Sequence, residues 1–218
     1  MSVSAIKQLK SGKNIYFITN KFNEYSLEEI ILQGEKGVLE NITIVTTKSG
    51  EKYIRSKPNQ NKKDNLDRVA ITCNDGDYLL FDREYLYLRS LNGRSKKKWK
   101  AFSGNSKALI KDQDKEDYGP LPEGEYEVYF GQSLDYQDNT GVLDALLWWV
   151  RRKSWGYIAT PLKQISGTSY SREHFYIHGG EEIGTKGCIE VNGDLNKNFH
   201  AFMRLYNRNF RLVVKYKK

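Results

Sequence analysis

The sequence predicts a mostly β chain with a few helices (α+β): a small N-terminal α+β unit over residues 1–67, then a β-rich domain over 68–218. Three observations carry this. Tyr occurs 15 times and Pro only 4 times in 218 residues, and aromatic and β-branched side chains favour pleated, half-buried strands. Short apolar runs recur between Gly-, Asn- and Asp-rich turns. A polar stretch, Ser56-Lys-Pro-Asn-Gln-Asn-Lys-Lys-Asp-Asn-Leu66, interrupts them and places a boundary within about 56–70.

In the first unit, Asn14–Thr19 reads as a strand. Ser26 can cap a short helix, Leu27–Gln33, with Glu28 and Glu29 in its first turn facing the positive end of the helix dipole. Gly34 and Gly37 are expected to end it. Asn41–Thr47 and Lys52–Arg55 read as a hairpin joined across Lys48-Ser-Gly50.

In the second, Tyr78–Phe81, Glu84–Arg89 and Trp99–Ser103 are successive strand candidates. Glu125–Phe130 alternates apolar and polar positions after the turn Gly119-Pro-Leu-Pro-Glu-Gly124. Gly141–Arg152 has the strongest helical periodicity, and Leu195–Tyr206 predicts a second helix capped by Asp194. Phe210–Tyr216 closes the chain as a strand.

The formal net charge is +8. Part of it sits in Arg94-Ser-Lys-Lys-Lys-Trp-Lys100, read as a solvated basic loop, with Trp99 equally placed to open a strand. Charge and aromatics alone do not make a nucleic-acid site, and no such motif is present. Two cysteines, Cys73 and Cys188, exclude a disulfide-stapled scaffold. They leave open a single Cys73–Cys188 bridge, which would silence either thiol. The N-terminal residues show no export signal, and no run approaches the ~20 apolar residues of a membrane span. Synthesis in the cytoplasm is the expectation.

The chemistry concentrates in Phe175-Tyr-Ile-His-Gly-Gly-Glu-Glu-Ile-Gly-Thr-Lys-Gly-Cys188-Ile-Glu-Val191. A cysteine nucleophile needs a base and backbone N–H donors for the oxyanion it creates, and His178 and the glycines supply both residue types. Taken alone, a Cys in an apolar strand is more often a small core residue, and a lone His more often structural. The combination favours catalysis. His174 lies two strand steps before His178 and should share its face, placed to orient His178 or to touch substrate, although a packing role is the more ordinary one. A zinc site from His174, His178 and Cys188 lacks recognisable ligand spacing.

Residues ~78–216 resemble the L,D-transpeptidase (YkuD-type) catalytic domain, and more closely its branch of type VI secretion peptidoglycan effectors. The match rests on Ala101-Phe-Ser-Gly104 with Gly119-Pro-Leu-Pro-Glu-Gly-Glu-Tyr126, on Trp155-Gly156 with Arg172-x-x-Phe-Tyr-Ile-His-Gly-Gly180, and on Thr185-Lys-Gly-Cys-Ile189. The resemblance implies an L,D-transpeptidase-like fold and acyl transfer on peptidoglycan stem peptides, without metal or organic cofactor. Cys188 would be the nucleophile and His178 the base. Gly187 and Cys188 would supply the oxyanion donors, and Thr185 and Gly179 would line the site. Glu190 stands where many members carry an Arg thought to meet a substrate carboxylate; Arg172, Lys186 and Arg211 are the cations nearby that would replace it. The effector likeness implies delivery by a non-classical route to the periplasm of a target bacterium, a secretion-apparatus contact and a cognate immunity protein. The competing expectation is a non-catalytic wall-binding or interaction module on the same fold. Residues ~4–67 resemble a small bacterial domain of unknown function through Tyr53-Ile-Arg-Ser-Lys-Pro58 and Asp64-Asn-Leu66, which implies no chemistry.

Overall fold

The computed structural model describes residues 1–8, 14–19, 23–57, 66, 70–72, 74–135, 155–168, 170–180, 184–191, 194–206 and 208–217. The chain divides into two compact units, Met1–Asn74 and Asp75–Lys218. The helix predicted over Gly141–Arg152 and the residue Cys73 lie outside the described residues.

In the first unit, β1 (Val3–Gln8), β2 (Asn14–Thr19), β3 (Glu24–Ser26) and β6 (Ala70–Thr72) form one sheet in the order β3-β2-β1-β6. The β6 pairing with β1 is parallel. It draws residues 70–72 into this unit, so the division falls at Asn74 rather than at 67, because a strand belongs with the sheet that satisfies its backbone.

Helix α1 (Leu27–Glu35) starts as its sequence predicts. Ser26 Oγ accepts from Glu29 N–H at 3.2 Å while Glu29 Oε2 accepts from Ser26 N–H at 2.7 Å, a reciprocal capping box. Gly34 does not end the helix but lies within it; Gly37, at φ +71°, follows the end. β4 (Ile42–Thr46) and β5 (Lys52–Ser56) form the expected antiparallel hairpin. Val3, Ile6, Phe17, Ile30, Leu39, Ile42 and Leu66 make this unit's core.

The second unit is an eight-stranded barrel. Its strands are β7 (Tyr78–Phe81), β8 (Tyr85–Arg89), β9 (Ser95–Ser103), β10 (Gly124–Val128), β12 (Ile158–Gly167), β13 (Phe175–His178), β14 (Ile189–Val191) and β15 (Phe210–Val214). They run in the order β10-β15-β7-β8-β9-β14-β13-β12, and β12 pairs back onto β10 to close the ring; β11 (Leu134–Asp135) adds to β12. Closure leaves the eight strands no shared free edge. The basic run is not a loop: Ser95–Ser103 is one nine-residue strand whose lysines pair with β8. Their stems lie over rings, Lys98 Nζ sitting 4.4 Å from the Tyr85 centroid and Lys97 Nζ 4.5 Å from that of Phe202. β12 has no counterpart among the predicted elements. Pro161 breaks its pattern by removing a ladder donor, yet Pro161 still pairs with Tyr176.

Helix α2 (Asp194–Arg204) contains Asp194 as its first residue. It packs through Phe199 and Phe202, whose rings meet Trp99 of β9 at 5.1 and 5.5 Å. Among the described residues, no helix is long and apolar enough to cross a membrane.

Candidate active site

β13 and β14 are neighbours and run parallel, with Ile177 opposite Ile189 and His178 opposite Glu190. Alternation then divides the pair. Ile177, Ile189 and Val191 face one way; Tyr176, His178 and Glu190 face the other. Cys188 is the residue just before β14, so continuing the register sets its backbone beside Tyr176 and diagonal to His178.

Both groups are buried, His178 at 4 % and Cys188 at 8 % exposure. Burial pushes the Cys188 thiol up to about 11, against the backbone N–H of Tyr176 and the charge of Arg172, which act in the opposite direction. Burial likewise lowers His178 to about 4, opposed by its bond to Gly179. At neutral pH the pair is therefore thiol and neutral imidazole, not thiolate and imidazolium. His178 Nδ1 lies 2.5 Å from the Gly179 carbonyl. Since a carbonyl only accepts, Nδ1 carries the proton and Nε2 keeps a lone pair. Trp155 holds the ring from one side, with centroids 4.8 Å apart and planes at 37°. The thiol itself is directed at the His174 carbonyl, 4.0 Å away, rather than at the His178 ring.

The turn before Cys188 is built by two hydroxyls. Thr185 Oγ1 donates to the Cys188 carbonyl at 2.8 Å and accepts from Gly187 N–H at 3.2 Å and Gly104 N–H at 3.0 Å. That is the full capacity of a hydroxyl, one donor and two acceptor positions. Ser103 Oγ donates to the Gly187 carbonyl at 3.2 Å and accepts from Leu121 N–H at 2.8 Å. Thr185 thus shapes the turn before Cys188, with its hydroxyl committed to backbone groups. The Gly187 N–H, expected as an oxyanion donor, is engaged by Thr185. Gly187 has φ +110°, and a Cβ there would stand 2.0 Å from Arg172 Nη2, so no other residue fits this turn.

Arg172 is the largest departure from expectation. Nη1 donates to the carbonyls of Gln113 (2.6 Å) and Pro120 (2.9 Å), and Nη2 to those of Gly119 (3.0 Å) and Lys186 (3.3 Å). Its guanidinium ties three chain segments together and is committed to backbone oxygens, not available to a substrate carboxylate. The other two cations named for that role are also engaged, Lys186 with Asp117 at 3.1 Å and Arg211 with Glu125.

His174 does not extend the β13 alternation. It is exposed and sits at φ +59° before the strand begins. Its backbone, not its ring, meets the thiol. Gly179 donates its N–H to the Trp155 carbonyl at 3.0 Å and packs so closely that a Cβ on Gly156 would lie 2.6 Å from its Cα. It fixes the backbone of His178 against Trp155 and Gly156. Two residues without a sequence signal tie helix α2 to β12. Asn196, fully buried, bonds both backbone groups of Ile158, and His200 Nδ1 lies 3.2 Å from Thr160 Oγ1. Cys188 is a free thiol. Among the described residues, no three His, Cys, Asp or Glu side chains cluster as metal ligands.

Residues 2–69 match the model of a family described as "Protein of unknown function (DUF3892)". No curated protein matches the chain. Four chains of known structure do. One is the helical cell shape determining protein Pgp2 (K307A mutant) from Campylobacter jejuni, at 16% sequence identity and a TM-score of 0.38. The alignment covers 67% of this chain and 49% of that one, so the chain spans about half of that protein's length. A likeness this distant carries no conclusion about activity.

Proposed function

We propose that the second unit is a cysteine acyltransferase acting on peptidoglycan stem peptides, as an L,D-transpeptidase, an L,D-carboxypeptidase or both. The observation that carries this reading is the His178–Cys188 diagonal, with Nδ1 fixed on the Gly179 carbonyl so that the atom free to take a proton is Nε2. The motif resemblance over residues ~78–216 supplies the substrate class.

In this reading the resting pair is neutral, and His178 acts as general base in the step itself. Nε2 takes the Sγ proton as sulfur attacks the carbonyl of the third stem residue. The C–N bond breaks, and the departing D-alanine amine leaves with that proton. Water or an amine then attacks the thioester, and the proton it loses returns through His178 to sulfur. The N–H groups of Cys188 and Gly187 hold the oxyanion, the latter by turning from Thr185 Oγ1. The thiol must also turn from the His174 carbonyl toward Nε2, a side-chain rotation.

Cys188→Ala tests this directly. The variant should keep its fold and lose all turnover of tetrapeptide muropeptides, read by mass spectrometry of the products. Undiminished turnover would end the nucleophile reading. A folded wild-type protein that binds wall material without turnover would favour the non-catalytic module instead. The proposed site of action is the periplasm of a target bacterium, reached by a non-classical route and guarded in the producer by an immunity protein. Cytosolic expression should be harmless, and fusion to an export signal should deform or lyse the host only when Cys188 is intact. Equal toxicity in both compartments would refute that placement.

A further inference from the structure

One cation of the basic strand lies on its buried face. Along β9 the side chains alternate, and Lys97 falls on the side of Trp99 and Ala101, both buried. Across the ladder it stands opposite Leu88, which is also buried. Lys97 Nζ lies 4.5 Å from the Phe202 centroid of α2 and 5.8 Å from that of Trp99. Among the described residues no ion pair or hydrogen bond engages this amine. Its neighbours on the strand differ: Lys96 pairs with Asp77 at 2.5 Å, and Lys98 and Lys100 are exposed.

An ammonium without an anion is costly to bury, and two ring faces return only part of the hydration it loses. Burial accordingly pushes Lys97 down to about 8, so the neutral amine, a nucleophile, is well populated near neutral pH. No other charge produces this. Tyr85, Tyr87 and Arg89 lie on the opposite face of β8. Asp194, Lys197, His200 and Arg204 of α2 add nothing to a shift that burial alone causes.

We propose that Lys97 is an acylation site, taking a short uncharged acyl group from an activated donor, an acyl phosphate or a thioester. The surroundings select the product. An amide carries no charge and can rest against Phe202 and Trp99. A carbamate, or an acyl group ending in a carboxylate, would set an anion against ring faces that are themselves negative. Methylation would leave the buried cation in place. In the reaction the ammonium first gives one proton to water. The amine attacks the acyl carbon, and the N–C bond forms as the C–O or C–S bond to the donor breaks. Phosphate or thiolate departs, and the second proton goes to water. Neither Cys188 nor the acyl-transfer reading enters this step.

The test exposes the full-length folded protein to acetyl phosphate and, separately, to S-acetyl-N-acetylcysteamine, and follows each lysine by site-resolved mass spectrometry. At pH 7.5 about a quarter of the Lys97 amine is neutral, against roughly 0.1 % of an ordinary lysine. Lower intrinsic nucleophilicity and partial cover take back some of that advantage. Lys97 should therefore be acetylated about tenfold or more faster than Lys98 and Lys100, which share its strand. Its rate should level off above about 8, while theirs keep climbing through about pH 9. Cys188→Ala should show the same selectivity; its loss there would mean that the thiol delivers the acyl group, and would overturn direct acylation. Selectivity with either donor carries the site and names its source. Lys97 labelled no faster than Lys98 and Lys100 by both donors overturns the site. So does a Lys97 rate that climbs about tenfold per pH unit through about pH 9.

Discussion

The two units bury polar groups for different purposes. In the first, among the described residues, the buried polar side chains are Thr19 and Asn41. Asn41 closes a complete loop, accepting from Val3 N–H and donating to the Val3 carbonyl, both at 2.9 Å. Its side-chain amide stands in for a strand partner. In the second, the buried polar side chains among the described residues are Asp77, Asp82, Ser103, Asp112, Thr160, Arg172, His178, Thr185, Glu190, Asn196 and His200. Burying a polar group costs free energy unless it is paired, and an apolar barrel would be easier to make. The second unit carries more of that cost, and its buried Ser103, Arg172 and Thr185 commit hydrogen bonds to the turn before Cys188.

That contrast can be broken in four places. His178→Ala should lower turnover by a factor on the order of 10²–10⁴ and slow alkylation of Cys188 by iodoacetamide. An unchanged alkylation rate across pH would mean the ring does not serve this thiol. Arg172→Met should destabilise the second unit by about 3 kcal/mol or more, since four backbone carbonyls lose a charged donor. Denaturant unfolding measures this; a loss of under about 1 kcal/mol would show that the guanidinium is kept for a ligand.

Asn41→Ala should cost the first unit about 1–3 kcal/mol by leaving both Val3 backbone groups unpaired, with turnover untouched. A parallel fall in turnover would erase the distinction between the units. The last effect is with pH. His178 and His200 are held neutral by burial, at about 4 and about 3 against an ordinary 6.5. Between those values the unfolded chain binds protons that the fold refuses. Their stabilising contribution is complete above pH 6.5 and is lost as pH falls toward 4 and then 3, by up to about 1.4 kcal/mol per pH unit for each. Denaturation midpoints from pH 7 to pH 5 should fall accordingly, and less steeply in His200→Asn.

Residue type and spacing alone pointed to Cys188 and His178, because a thiol and an imidazole among glycines are rare chemistry in a short segment. The α1 cap was equally readable, since Ser26 and Glu29 sit three residues apart and the bond between them is local. Arg172 was misread because its partners, at Gln113, Gly119 and Pro120, are more than fifty residues away. The basic run looked like a loop because its lysines dominate hydropathy, while aromatic rings on β8 and α2 that cover their stems are invisible locally.

The sequence by itself determined the elements whose partners are near in the chain: the capped helix, the β4–β5 hairpin, and the alternating strands of a mostly β protein. It also determined which side chains could do chemistry. Only the tertiary structure decided how they are used. The parallel β13–β14 pairing sets His178 diagonally from Cys188, barrel closure buries both as neutral groups, and distant carbonyls claim Arg172. The reason is physical. Protonation state and hydrogen-bond capacity depend on which groups lie within a few ångströms and how much water remains, and both are consequences of long-range packing.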